Sequence, residues 1–414
     1  MKKTIAAAVA LMLSATTATH AQTDAAREAA INANRFTLAM AREALKAQED
    51  KNDNLVISPY NAMTNMALVG SGAEGATKKE FETALFGKDG AMDAGTTAFA
   101  GLNTALLDNA KGKVDLLTAN GIWVNKALAK LSDSYAKMAT ENFKASMSAE
   151  DFGDKATVDK INTWAGDNTK GLITKIISQL QPSDAMVLAS ALYFKGKWTY
   201  PFDKSDTTDK KFAQDGGKEI TVPMMKRQFA DGDIRWQEKD GYQAVTMTYG
   251  AEGATPTRIV LLRPTDAKLS ARDWLAQQET DAPAWLDLYG YENVAGTVEL
   301  PRIELKQHHD LVPVLKALGI TTAFTGSADF SKMVTEGSSP LFISAVTHDV
   351  VFKTDEEGSE AAAVTTTMMA GSAMPREPKR INIAFDRSFV FALQDTLTGA
   401  VFFLGAVNDP GTSK

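Results

Sequence analysis

Apolar positions along the chain change period several times, and each change predicts an element. Within residues 24–48, Ala30, Phe36, Leu38, Ala41 and Leu45 recur at near-helical spacing between charged residues, which predicts a helix. Leu55-Val56-Ile57 reads as a short buried strand. Ser58-Pro59 then opens a helix, since Ser favours the N-cap and Pro is tolerated in the first turn. Met63, Met66, Ala67 and Val69 form its apolar face, and Gly70 and Gly72 end it. Thr77 to Glu80 reads as a capping box opening the next helix, through Phe81 and Leu85. From about residue 113 the period shortens: Val114, Leu116 and Leu117, then Gly121 to Val124, predict strand. Residues 130–143 predict a helix, and 159–180 another with a break at 168–171. Residues 186–194 are continuously apolar, as suits a central strand buried on both faces.

The second half is richer in alternation. Ile220 to Val222, Gln243 to Thr248, Arg258 to Leu262, and the set Val298, Leu300, Ile303 and Leu305 all predict strands, as do residues 341–353, 389–393 and 401–407. Leu311 to Leu318 predicts a helix ended by Gly319. Length alone favours two or three domains at about 150 residues each. No Pro/Gly/Ser linker divides the chain, however, and helices and strands mix without regular alternation. The pattern therefore predicts one α+β unit with mostly antiparallel sheets, and no internal repeat.

The composition, 44% hydrophobic and 23% charged, excludes a disordered, collagen-like or coiled-coil chain. The net charge of −7 argues against nucleic acid or an anionic membrane as the main partner. There is no cysteine, which excludes disulfides, thiol catalysis and thiolate metal sites. Lys2 and Lys3, the uncharged stretch Ala6 to Leu13, and the small residues Thr19 and Ala21 read as an export signal cleaved after Ala21. The expectation is residues 1–21 as signal peptide and 22–414 as a single domain, periplasmic or extracellular.

Chemistry-bearing motifs are few. Gly70-Ser71-Gly72-Ala73-Glu74-Gly75 matches a dinucleotide fingerprint, but a helix precedes it where a strand is required, so it reads as a helix–turn–helix junction. Ser134 and Lys137 match S-x-x-K, yet the companion motifs of penicillin-recognising hydrolases are absent, and Tyr135 and Met138 suit an ordinary helix face. His308 and His309 are adjacent, so on a strand they point to opposite faces; a surface position is expected for the pair, with no shared metal. No motif calls for a cofactor.

The informative segment follows Asp355-Glu356-Glu357-Gly358-Ser359-Glu360. From Ala361 to Met374 there is no charge, only small, β-branched and Met residues, before Pro375-Arg376-Glu377-Pro378. Loops are normally polar and turn-rich, so this one is unusual.

Taken with that segment, the chain resembles the serpins over nearly its whole length, as a bacterial exported member. The matching motifs are Asn54 to Pro59, Gly72 to Thr77, Ile161-Asn162 to Gly171-Leu172-Ile173, Ala191 to Trp198 with Pro201-Phe202, Val222 to Lys226, Leu311 to Ile320, Gly358 to Ala363, Phe385 to Phe391 and Phe403 to Pro410. The resemblance implies three sheets, eight or nine helices and an exposed reactive-centre loop at about 356–380. It also implies a serine protease as partner, held as a covalent acyl-enzyme while the cleaved loop inserts as a new central strand.

In that register Ser359, Ala361, Ala363 and Thr365 face inward, and Glu360, Ala362, Val364 and Thr366 outward. The inward residues are small, as a slot between existing strands requires. The resemblance makes Glu356, Gly358, Ser359, Ala361 and Ala363 the hinge. It makes Ser58, Asn61, Ser190 and His348 the polar cluster guarding the point where the sheet opens, and puts Trp198 near its upper breach. Two of these depart from the family pattern: the usual Asn is Ser190 and the usual Ser is Asn61, as if the amide had moved from strand to helix. Counting from the hinge places the reactive bond at Ser372-Ala373, with Ala373-Met374 and Arg376 as alternatives; counting back from Phe389 gives Glu377. The hinge count is preferred because insertion fixes that length. Small residues there suit an elastase-like or subtilisin-like protease. About residues 97–109, where heparin-activated relatives are basic, no basic residue appears before Lys111, so no heparin site is expected. The expected state is an inhibitory monomer with no catalytic residues of its own. The alternatives are a non-inhibitory chaperone or carrier and, remotely, a Ser134/Lys137 hydrolase.

Overall fold

The apolar run beginning at Met186 forms a strand with both faces covered, and the fold is arranged around it. The computed structural model describes residues 2–88, 90–239, 241–359 and 377–411, with side chains from Asp24 onward. The α-helices are α1 (Lys2–Ala47), α2 (Pro59–Ser71), α3 (Gly75–Phe86), α4 (Met92–Ala110), α5 (Asp133–Phe143), α6 (Lys155–Asn168), α7 (Ala271–Ala276) and α8 (Val312–Ala317). The strands are β1 (Leu55–Ile57), β2 (Asp115–Asn125), β3 (Ser146–Glu150), β4 (Met186–Lys197), β5 (Thr208–Ala213), β6 (Glu219–Lys239), β7 (Tyr242–Ala251) and β8 (Ala254–Pro264). They continue as β9 (Glu292–Pro301), β10 (Ile303–Asp310), β11 (Ile343–Thr354), β12 (Gly358–Ser359), β13 (Arg380–Ala384), β14 (Phe389–Asp395) and β15 (Val401–Val407).

One sheet runs β10-β11-β4-β2-β3, with β12 added beside β4. The other runs β1-β15-β14-β8-β7-β6-β9-β13, with β5 on β6. The long β6 shifts register between Phe229 and Ile234 and carries one continuous ladder through what the resemblance describes as two sheets. Most pairings are antiparallel; β11 with β4, β13 with β9 and β2 with β3 are parallel.

Alternation along β4 separates two cores. Leu188 and Leu192 face the main core with α2, while Val187, Ala189 and Ala191 face a smaller core closed by Ile161, Ala165 and Ile173. Trp123 and Trp164 meet edge to face at 5.0 Å between β2 and α6. With both faces covered, β4 has no need of polar alternation.

Several local expectations are corrected. α3 starts at Gly75, two residues before the expected cap. The Thr77 hydroxyl accepts from Asp329 N at 3.0 Å instead, and Glu80 reaches Thr321 and Thr322, so long-range contacts replace the capping box. The helix expected over 159–180 ends at Asn168. Past the positive-φ residues Lys170 and Gly171 the chain is irregular, because Asn162 Oδ1 accepts from Ile176 and Ile177. The helix expected from residue 24 is one helix from Lys2 to Ala47.

Candidate functional site

A parallel seam joins β4 to β11, and the residues singled out from the sequence collect along it. The ladder runs from Ile343↔Met186 to Val350↔Leu192. Parallel pairing is slightly weaker per residue than antiparallel, so this seam is the weaker of the two long ladders that β4 makes. Beneath it lies α2, whose first turn is fixed by Pro59 at its start.

His348 is wholly buried at the centre of this seam. Its Nε2 accepts the Ser58 backbone N–H at 2.8 Å, and its Nδ1 lies 2.8 Å from Ser190 Oγ. An imidazole nitrogen that accepts carries no proton, so the proton is on Nδ1 and is donated to Ser190. Burial, and then the nearness of His309 and His308, hold the His348 pKa well below the usual histidine value. The ring is a neutral hydrogen-bonding bridge. The Ser58 hydroxyl does not cap α2, as expected of it; it is buried without a hydrogen-bond partner among the described residues, and the backbone N–H does the linking.

Cross-strand register extends this bridge into a polar row. His309 pairs with His348, His348 with Ser190 and Ser190 with Asn120, so all four side chains share the inner face across four strands. From α2, Asn61 Nδ2 donates to Ala191 O at 2.6 Å and Asn65 Nδ2 to Ala189 O at 2.9 Å. The relocated amide at Asn61 thus holds the β4 backbone beside Ser190. Asn65 and Asn120 escaped the sequence reading, and His309 was expected on the surface. The register opposite Ser190 could have pointed to Asn120, and the i, i+4 spacing from Asn61 to Asn65. His309 is half-buried rather than on the surface: its Nε2 donates to Val56 O at 2.8 Å, and its ring centroid lies 6.1 Å from that of His348. His308 faces the other way, its Nδ1 2.9 Å from Asp349 Oδ1, so the pair shares no ligand. Asn61 Oδ1, Asn65 Oδ1 and Asn120 Oδ1 are buried with no hydrogen-bond partner among the described residues. Each such group costs about 1–3 kcal/mol, so the seam is held at some expense in stability.

The residues expected to form the hinge lie at the far end of the seam. After β11 the chain turns at Asp355 to Glu357, and β12 runs back antiparallel to β4, pairing Gly358 with Lys197 and Ser359 with Gly196. Gly358 has φ of 135°, and a Cβ there would sit 2.2 Å from Gly196 O, so only glycine fits. Ser359 is buried, and the hydroxyl of buried Tyr249 lies beside Ser359 and Thr354. Trp198 stacks on Tyr249 at 4.2 Å, its Nε1 donates to Asp355 O at 2.8 Å, and its backbone N–H donates to Glu357 O at 2.9 Å. Glu356 is buried against Arg302, with Nη2 to Oε1 at 2.8 Å, and accepts from Thr207 Oγ1 at 2.5 Å. Burial alone raises its pKa, but the Arg302 and Thr207 hydrogen bonds outweigh it and hold the carboxyl below its usual range. Glu357 pairs with Lys204 at 2.5 Å.

Ala361, Ala363, Ser372, Ala373, Met374 and Arg376 lie outside the described residues. Ser134 and Lys137 are exposed on α5: Ser134 Oγ contacts Ser132 Oγ at 2.9 Å, and Lys137 leans toward Glu141 at 3.8 Å. Among the described residues no hydrogen bond joins Ser134 to Lys137, the contact a Ser-Lys nucleophile would use.

Known proteins share this fold. The family profile described as Serpin (serine protease inhibitor) matches residues 31–410. A putative serpin-Z5 of Oryza sativa subsp. japonica is 33% identical over 389 residues, covering 87% of this chain and 85% of its own. Among solved structures, the thermophilic serpin tengpin in the native state superposes with a TM-score of 0.79 at 25% identity, over 91% of this chain and 93% of its own. A thyroxine-binding globulin complexed with thyroxine has the same TM-score, 0.79, at 23% identity, covering 93% of this chain and 100% of its own, which shows the shared fold. This chain belongs to the serpin family. Membership carries the family's general activity, inhibition of proteases, with a protease as the partner.

Proposed function

We propose that the protein is a suicide inhibitor of serine proteases that traps the acyl-enzyme by inserting its cleaved loop between β4 and β11. The observation that carries this reading is β12. The β4–β11 ladder stops at Val350↔Leu192, and further along β4 the two hinge residues Gly358 and Ser359 are already paired in the antiparallel sense an inserting strand needs. The residues that follow, Glu360 to Thr366, include no Pro and no bulky aromatic side chain. With Ser359 opposite Gly196, inward and outward positions alternate as the slot requires.

The target is an elastase-like or subtilisin-like enzyme, cut at Ser372-Ala373, with Ala373-Met374 and Arg376 as secondary sites. The inhibitor acts as a monomer in the periplasm or outside a bacterial cell, after removal of residues 1–21. Incubation of the full chain lacking that segment with pancreatic elastase tests this: a complex resistant to denaturing electrophoresis and loss of elastase activity are expected. Clean cleavage with full protease activity overturns it and favours the second reading, a non-inhibitory carrier. That reading draws on the fold shared with the thyroxine-binding globulin complex.

A further inference from the structure

Oxygen atoms that lack a donor gather around Ser190. Asn61 and Asn65 turn their amide nitrogens to Ala191 O and Ala189 O, the carbonyls on either side of it. That fixes each amide, since a flipped one would set oxygen against oxygen. Asn120 stands opposite Ser190 on β2, with its side chain on the same inner face. Asn61, Asn65 and Asn120 are 0%, 1% and 2% exposed. Among the described residues none of their Oδ1 atoms has a hydrogen-bond partner. Two hydroxyl protons beside them are uncommitted. The Ser58 hydroxyl is buried without a partner, and Ser190 Oγ accepts from His348 Nδ1, so that among the described residues its own proton has no acceptor. Left without a donor, each buried oxygen lowers the folding constant about 5- to 150-fold. Among the described residues no side-chain hydrogen bond joins α2 to β2, so whatever meets these oxygens also ties the helix to that strand.

We propose that the helix side of the seam is an internal hydration site, in which at least two ordered waters donate to Asn61, Asn65 and Asn120 Oδ1 and accept from the Ser58 and Ser190 hydroxyls. These waters offset much of the expense of burying the three oxygens. Their number follows from the donors. Three oxygens need three protons, no protein hydroxyl reaches any of them, and one water supplies two. The spacing agrees. Asn61 and Asn65 stand about 6 Å apart along α2. A water with two acceptors at about 2.8 Å spans up to about 5.6 Å between them. The lining selects water over a monovalent cation. Every group in it is neutral, the imidazole of His348 included, and the first turn of the 13-residue α2 presents the positive end of its dipole. A buried ion there would have no counter-charge to offset its lost hydration. The site belongs to the closed seam and holds whether or not the chain traps a protease.

The test is a crystal structure of the unsubstituted protein grown with rubidium chloride as the only monovalent salt. Expected are two or more density peaks that between them lie within about 2.5–3.2 Å of all three Oδ1 atoms, with no anomalous signal at any of them. An anomalous peak assigns the site to a cation and overturns the proposal. So does any of the three oxygens left without such a peak, or met directly by a protein donor. A measurement in solution checks the bridge between the two helix residues. In protein labelled with 15N-asparagine, cross-relaxation from water is expected at the side-chain amides of Asn61 and Asn65. It should be lost at Asn61 in Asn65→Leu, whose apolar side chain removes one end of the bridge. Thr64→Val removes only a hydroxyl bonded to Tyr60 O within α2 and should leave the signal in place. A signal at Asn61 that survives Asn65→Leu, or is lost equally in Thr64→Val, overturns the bridge. Should Asn65→Leu not fold, the crystal structure of the unsubstituted protein decides alone.

Discussion

Ser190 Oγ and His348 Nδ1 lie 2.8 Å apart across the β4–β11 seam, and His348 Nε2 accepts from the backbone N–H of Ser58, the residue just before α2, on the other side of the ring. One neutral imidazole therefore links two strands and a helix. His348→Ala leaves the Ser58 N–H buried without its acceptor, at a cost of about 1–3 kcal/mol before any cavity is counted. The expected result is a clear drop in urea midpoint. Ser190→Ala, which leaves Nδ1–H without its partner but keeps the Ser58 bond, should cost less. Equal midpoints for His348→Ala and the unsubstituted protein would contradict the bridging role.

The same ring makes the seam sensitive to acid. His348 and His309 both have folded pKa values lowered, chiefly by burial. Each contributes stability that is complete above the unfolded value near 6.5 and is lost as pH falls below it, because the unfolded chain then binds protons the folded one refuses. His308 opposes them: its hydrogen bond to Asp349 raises its pKa, so its contribution is present below 6.5 and fades as pH rises through the folded value. The His348 shift is the large one of the three, so the loss prevails. Melting temperature should fall between pH 7 and pH 5.5, and fall less in a His348→Gln variant. An identical slope in the two proteins would show that His348 is not the group titrated.

At the hinge, Glu356 and Arg302 form a pair whose members are unequally exposed: the carboxylate is 1% accessible and the guanidinium 46%. Removing the cation leaves a buried carboxylate with Thr207 as its one side-chain partner among the described residues, so Arg302→Ala should cost more than Glu356→Gln. Solvent screening of Arg302 keeps the difference to about 1 kcal/mol. The depressed Glu356 pKa contributes stability fully present above about 4.5 and lost as pH falls below that through the folded value. Chemical denaturation at pH 7 and pH 4 checks both statements: the gap between Arg302→Ala and the unsubstituted protein should narrow at the lower pH.

What was legible in the sequence was set by local periodicity. The doubly buried run at Met186 and the continuously apolar runs that open β14 and fill β15 place their strands unaided, because burial on both faces dictates residue type. The end of α6 was not legible: the segment after it is held by Asn162, whose effect on residues 176 and 177 lies outside any local pattern. Thr77 failed for a related reason, since a hydroxyl suited to a cap was used by Asp329, 252 residues away. The polar row shows the same limit. Ser190 and His348 came from motif resemblance, whereas Asn120 and His309 join them only through cross-strand register.

The hinge and the bait should separate in one set of variants. Ser359 is buried on the inner face beside Tyr249, opposite a glycine, so there is room for a small side chain and no more. On the proposed mechanism, Ser359→Ala should fold and give the same yield of trapped protease as the unsubstituted protein. Ser359→Arg would bury an unpaired charge at the first inserted position, at a cost of several kcal/mol, and stall the strand there. Stalling gives water time to release the acyl-enzyme. That variant should therefore be cleaved at the same bond while freeing active protease. Gly358→Ala should act similarly, because its Cβ meets Gly196 O at 2.2 Å and β12 cannot keep its pairing. Ser372→Arg should do the opposite, keeping the trap and moving the preferred target toward trypsin-like enzymes. The measurements are the ratio of denaturation-resistant complex to cleaved inhibitor, and the mass of the released fragment. A Ser359→Arg protein that still traps elastase in the same ratio would mean that insertion does not begin at Ser359, and the bond inferred by counting from it would move with the register.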